Sequence, residues 1–209
     1  MANEQLETQT IDPLTKALLP VLIHRANNTT QLLANLNTLA ASMPTMHWLE
    51  ERADDLAEAS ADLEQAGYLL AVLASASGAN LLLDRREPRA LQIMGEAVRD
   101  LMRREGHSFT MPPQPLPSCS GDVAHGWELP WAFGALLAAS TRSLVPGQIL
   151  AWQVLSEEES WVLVADATPQ DDLEDLGTLL EKRLPEARLD VRKEGWSWRV
   201  PRAWLESAS

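Results

Sequence analysis

"LIHRANNTTQLL", residues 22–33, decides how the first third of the chain is read. A histidine, an arginine and two asparagines interrupt an apolar run that then resumes. Around them the apolar residues keep the spacing of a long amphipathic helix. Leu18, Leu22, Leu32, Leu36 and Leu39 form one seam, with Leu19, Ile23, Ala26 and Leu33 beside it. Asp12 suits a helix cap and Pro13 the first helical position, where no amide hydrogen is needed. Pro20 predicts a kink, because it removes one helical hydrogen bond and crowds the preceding turn. "ASMPTM" (41–46) reads as a turn.

A second helix is predicted over Trp48–Ser75. Its seam, Leu49, Ala53, Leu56, Ser60, Leu63, Gly67, Leu70 and Ala74, alternates leucine with small residues that permit close approach of a partner helix. Glu50, Glu51, Asp54, Asp55, Glu58, Asp62 and Glu64 mark the outer face as solvated. Two long helices joined by a short turn predict an antiparallel hairpin. One hairpin cannot bury both sides of its seams, so the expected completion is a homodimeric four-helix bundle.

After "SASGAN" (75–80), a plausible linker, the texture changes. Residues 89–104 and 130–144 read as helices around the proline-rich loop 110–122. "QILAWQVL" (148–155) and "SWVLVAD" (160–166) read as strands, followed by a helix over 171–184 and a strand pair, "ARLDVRK" and "WSWRV". The expected division is 1–80, a helical hairpin, and 81–209, an α/β sandwich, giving an α+β chain. Seven tryptophans of the second part are read as core: Trp127, Trp131, Trp152, Trp161, Trp196, Trp198 and Trp204.

The bulk properties narrow the function. With 17 basic against 30 acidic residues, the formal charge is −13, which argues against nucleic acid or an anionic membrane as partner. One cysteine, Cys119, excludes an internal disulfide framework and a cysteine-rich metal site. His47, His107 and His125 show no metal-like spacing, so surface or capping roles are expected. No signal-peptide pattern opens the chain and no run spans a bilayer, which together predict a cytoplasmic protein.

His24 is the candidate reactive group. On a helical wheel it lies with Asn27, Asn28, Gln31, Asn35 and Thr38, away from the leucine seam. That placement argues against a buried core histidine and leaves an incidental surface histidine as the bland alternative. A neutral imidazole is a competent nitrogen nucleophile near neutral pH. Asn27 and Asn28 place amide donors one turn away, and Arg25 adds a cation suited to a phosphoryl group.

These residues carry a resemblance. "HRANNTTQLLANL" (24–36) resembles the H-x-x-N-N phosphoacceptor box of bacterial sensor histidine kinases, which lies on the first of two long helices in their dimerisation and phosphotransfer domain. That family usually has an acidic base after the histidine; here it is Arg25. The second part resembles the family's ATP-binding domain with its boxes eroded. "WAFGALLAASTRSLVPGQI" (131–149) is similar to the asparagine-bearing helix but lacks asparagine, Ser140 or a neighbour standing at the metal-contacting position. "VADATPQ" (164–170) resembles the D-x-G-x-G box with Asp166 alone kept. "DLGTLLEKRL" (175–184) resembles the lid with only Gly177 left.

What the resemblance implies is a histidine phosphotransferase, similar to the cell-cycle and sporulation phosphotransferases. Phosphate would pass through His24 to or from response-regulator receiver aspartates, with Arg25, Asn27, Asn28 and Gln31 lining the phosphoryl or partner site. The resemblance implies no ATP and no cofactor of the chain's own, Mg²⁺ being carried by the partner receiver. A hybrid histidine kinase is a further candidate partner. Two other readings stay open: a non-catalytic kinase-like dimer that binds regulators without transfer, and a kinase with atypical boxes.

Overall fold

The computed structural model describes residues 13–42, 52–78, 87–119, 126–145, 147–167 and 171–206. The chain is mixed α+β and begins with two long helices, α1 (Pro13–Ser42) and α2 (Ala53–Ala76), packed against each other. Helix α1 runs through Pro20 as one element. Helix α2 is described from Ala53, after Arg52; residues 48–51 of the expected helix and the 43–46 part of the expected turn lie outside the described residues. Asp54 and Asp55 in its first turn suit the positive N-terminal end of the helix.

Helices α3 (Ala90–Arg104) and α4 (Glu128–Arg142) follow, with two short strands between them, β1 (Ser108–Phe109) and β2 (Ser118–Cys119). The expected strand 148–155 is two elements. β3 (Ile149–Leu150) pairs in parallel with β1, while β4 (Trp152–Ser156) enters the main sheet. That sheet is wholly antiparallel, in the order β4, β5 (Ser160–Ala165), β7 (Gly195–Pro201), β6 (Arg188–Arg192). Helix α5 (Asp171–Arg183) packs on α4 and β6. A short 3₁₀ turn, Arg202–Trp204, leads to β8 (Leu205–Glu206), which pairs with β2.

Strand alternation explains how the sheet meets α4. In "WSWRV", Trp196, Trp198 and Val200 are buried while Arg199 is exposed. Trp152 and Leu163 share the inner face by register, and Trp152 lies at 5.5 Å from Phe133 of α4, ring centre to ring centre. Of the expected tryptophan core, Trp131, Trp152, Trp196, Trp198 and Trp204 are buried; Trp127 and Trp161 are half-buried at its edge. At Gly195 a β-carbon would come within 2.4 Å of the Ala165 carbonyl oxygen, so the strand pair closes there only around glycine.

The core does not stop at residue 80. One continuous apolar cluster joins Leu14, Leu18, Val21 and Leu22 of α1 and Leu69, Val72, Leu73 and Ala76 of α2 to α3, α4 and the sheet. Arg183 of α5 stitches the same junction. Its guanidinium lies over the rings of Trp127 and Trp131 and donates to the Ala76 carbonyl at the end of α2.

In the single chain the expected seams are buried only in part. On α1, Leu18, Leu22 and Leu36 are buried, but Leu32 is 44% and Leu39 46% exposed. On α2 the buried stripe is Ala59, Ala66, Leu69, Val72, Leu73 and Ala76. The expected seam is rotated from it by roughly 120° at 100° per residue: Ala53, Ser60 and Gly67 are exposed, and Leu56, Leu63, Leu70 and Ala74 only partly buried. Helix α2 thus carries two apolar stripes, and the chain fills the one facing its own core. Among the described residues no helix is long and apolar enough to cross a membrane.

Candidate functional site around His24

The middle of α1 presents His24, Asn27, Asn28 and Gln31 on its exposed side. Their positions follow from helical geometry, since residues three and four apart stack one above the next. Asn28 meets the ring directly, with its amide nitrogen 3.2 Å from His24 Nε2. The neighbouring threonines do not extend this polar set. The hydroxyls of Thr29 and Thr30 turn back to the carbonyls of Arg25 and Ala26, one turn earlier.

Arg25 takes no part in that surface. It falls on the stripe Leu18, Arg25, Leu32, Leu39, one residue every seven, and so points to the second helix. There its guanidinium pairs with Asp62 at 2.5 Å and donates to Gln65 at 3.4 Å. The structure therefore brings His24, Asn27, Asn28 and Gln31 together on one face and takes Arg25 to another. Asp62, read from sequence as part of a solvated acidic face, is the partner of Arg25. The signal that could have paired them was the seven-residue period, which puts a cation among leucines.

The second part holds the positions matched to the nucleotide boxes. Ser140 is wholly buried in α4. Its hydroxyl donates to the Leu136 carbonyl and accepts from the Trp196 indole N–H at 2.6 Å. That indole therefore occupies the space beside the matched position. The stretch matched to a lid is regular helix, with Gly177 in the middle of α5. Asp166 is exposed at the end of β5, while 168–170 lie outside the described residues.

Other candidate groups are placed as follows. Cys119 is half-buried, and desolvation pushes its thiol up to about 12, which leaves little thiolate at neutral pH. Burial likewise drives the Tyr68 phenol far above its ordinary value. Among the described residues no group of three His, Cys, Asp or Glu side chains converges as a metal site requires. His107 is half-buried after α3; His47 and His125 lie outside the described residues. No family model matches the chain, and no curated protein matches it.

Proposed function

We propose that the protein is a histidine phosphotransferase of two-component signalling, relaying a phosphoryl group through His24 to or from receiver-domain aspartates. The observation that carries this reading is the placement of His24. Its ring is solvent-exposed midway along a long helix, with an amide hydrogen-bonded to one nitrogen. A nucleophile that must enter another protein's active site needs that access. On the same half of the helix surface lie Asn27, Gln31 and the exposed apolar residues Leu19 and Ile23, a surface on which a receiver can dock.

The reading includes an antiparallel α1–α2 hairpin completed by a second copy into a four-helix bundle, and a cytoplasmic location. Leu32 and Leu39 continue the buried stripe of α1 beyond the end of the chain's own core, and Leu56, Leu63 and Leu70 leave a second leucine stripe half open on α2. A partner helix pair would cover both. The second domain is read as a degenerate ATPase-like sandwich whose box positions are filled by core side chains, Ser140 and Trp196 above all. Phosphate then comes from a receiver, which carries its own aspartate and Mg²⁺.

The test is transfer from a labelled, phosphorylated receiver. Label should move to the wild-type chain and not to His24→Ala; label that stays on the receiver with wild type overturns the reading. The engagement of Arg25 by Asp62 favours the rival of a non-catalytic regulator-binding dimer, because it removes a cation from the phosphoryl face. That rival predicts receiver binding that survives His24→Ala, with no phosphohistidine. Labelling by ATP alone would instead indicate a kinase.

A further inference from the structure

Strand β4 is an edge of the main sheet: β5 lies on one side of it and, among the described residues, no strand on the other. The hydrogen bonds at the two ends of the β4–β5 pair fix its phase. Glu157 donates its N–H to the Ser160 carbonyl, and the Ala151 carbonyl accepts from the Asp166 N–H. Bonded and non-bonded pairs alternate along an antiparallel ladder, so Gln153 and Leu155 also turn their backbone groups to β5. Trp152, Val154 and Ser156 turn theirs outward. Among the described residues nothing pairs with those outward groups.

The two edges of the sheet differ in how they are guarded. β6, at the far edge, carries Arg188, Asp190 and Arg192 and is packed by α5. Charged side chains of that kind deter a further strand. β4 has no charge and no proline between Trp152 and Ser156, and Leu155 stands 42% exposed. Where β4 ends, the turn Glu157–Glu159 lines a hollow with Glu186, Arg188 and Arg199, four carboxylates against two guanidinium groups. Arg199 is already paired with Glu157. The hollow therefore keeps a surplus of negative charge beside the open edge.

We propose that β4 is a docking edge for an extended peptide of a partner protein, added as a further antiparallel strand with lysine or arginine at its N-terminal end. Antiparallel addition brings that end to Ser156 and the carboxylates of Glu158 and Glu159. Main-chain hydrogen bonds to Trp152, Val154 and Ser156 hold the strand, and the charges choose its sequence. The same carboxylates, with a formal charge of −13 on each chain, argue against a second copy as the occupant. The inference goes beyond the phosphotransfer reading and does not depend on His24.

The probe is a synthetic peptide, two lysines followed by alternating valine and threonine, added to the full chain while amide hydrogen exchange is followed by NMR. It should slow exchange at Trp152, Val154 and Ser156. Val154→Pro removes an outward N–H and no bond to β5, so the fold should survive, as proline is tolerated on such an edge. Peptide affinity should then fall by about tenfold or more, through one lost hydrogen bond and the bulk of the ring. Should that variant fail to fold, Leu155→Lys, which sets a like charge at the edge, serves in its place. Glu158→Gln with Glu159→Gln should weaken binding by about two- to tenfold at low salt. No protection of the three amides at millimolar peptide, or unchanged affinity in the folded edge variant, overturns the docking edge. Equal affinity for a peptide that begins with two glutamates overturns the basic partner. Protection that appears on concentrating the chain alone overturns the peptide in favour of a second copy.

Discussion

Along its seven-residue stripe the two halves of α1 have nearly the same residue pattern and opposite fates, although Leu36 beside the stripe is buried. In the first half, Leu14, Leu18, Val21 and Leu22 vanish into a core shared with α2, α3 and α4. In the second half, Leu32 and Leu39 fall on the same stripe, seven-residue steps on from Leu18, and stand open to water. Arg25 lies where the two regimes meet and is tied across to α2 by Asp62 and Gln65. The difference shows that a helical stripe reports what a helix can bury, whereas the surrounding elements decide how far that burial extends. His24 sits beside this changeover, next to the shared core on one side and uncovered helix on the other.

Substitutions should separate the halves in proportion to burial. Leu18→Ala, in the closed half, should lower unfolding free energy by about 2–5 kcal/mol in urea titration, because neighbours fixed by three helices cannot collapse into the space. Next comes Trp196→Phe, which removes the indole donor to Ser140 and leaves a small void in the core below. About 1–3 kcal/mol should be lost, and no comparable change should follow at the exposed face of α1. A loss at His24-dependent transfer as large as the loss of stability would show that the face depends on the sheet.

Smaller effects come from charge. Glu105 accepts two hydrogen bonds from the Arg142 guanidinium, from Nε and Nη2, each at 2.8 Å, tying the ends of α3 and α4. That bond, against opposing desolvation, holds the Glu105 carboxyl below its ordinary value of 4.5. The unfolded chain therefore binds the proton more readily. The stabilisation is full above pH 4.5 and is lost as pH falls through the lowered folded value. With both side chains about a third exposed, it should amount to less than about 1 kcal/mol. Acid titration of Glu105→Gln against wild type should show the two stabilities converging at low pH. Arg25→Ala should cost only about 0.2–1 kcal/mol, since its pair with Asp62 is partly solvated.

The smallest expected effect on folding is at Leu32→Ala, within about 0.5 kcal/mol for the isolated chain. A loss there as large as that of Leu18→Ala would erase the distinction between the halves. If a second copy covers the open half, the same substitution should raise the dimer dissociation constant, read by light scattering over a dilution series. An unchanged association state would leave the open stripe to another occupant.

Much was legible because it is local. The five helices follow from periodicity and from Pro13 at a helix start, and "WSWRV" announced a strand buried on one face. The split of 148–155 into β3 and β4 was not legible, because one apolar run can serve two sheets and only β1 tells them apart. The buried stripe of α2 was misread for a related reason. Leucine repeats drew attention to Leu56, Leu63 and Leu70, while the core closed around alanines and the Leu69–Val72–Leu73 cluster. At the site, the grouping of His24 with Asn27, Asn28 and Gln31 needed only the helical wheel. The departure of Arg25 needed Asp62, thirty-seven residues away in sequence.

By itself the sequence determined where helices and strands form and which polar residues share a helix face with His24, since those depend on repeat geometry along a few turns. Only the tertiary structure decided which of two apolar stripes is buried, where the stripe of α1 becomes exposed, and which carboxylate takes Arg25 away from the His24 face. Those depend on groups brought together by packing, and no periodicity within one element encodes the neighbour that arrives from another.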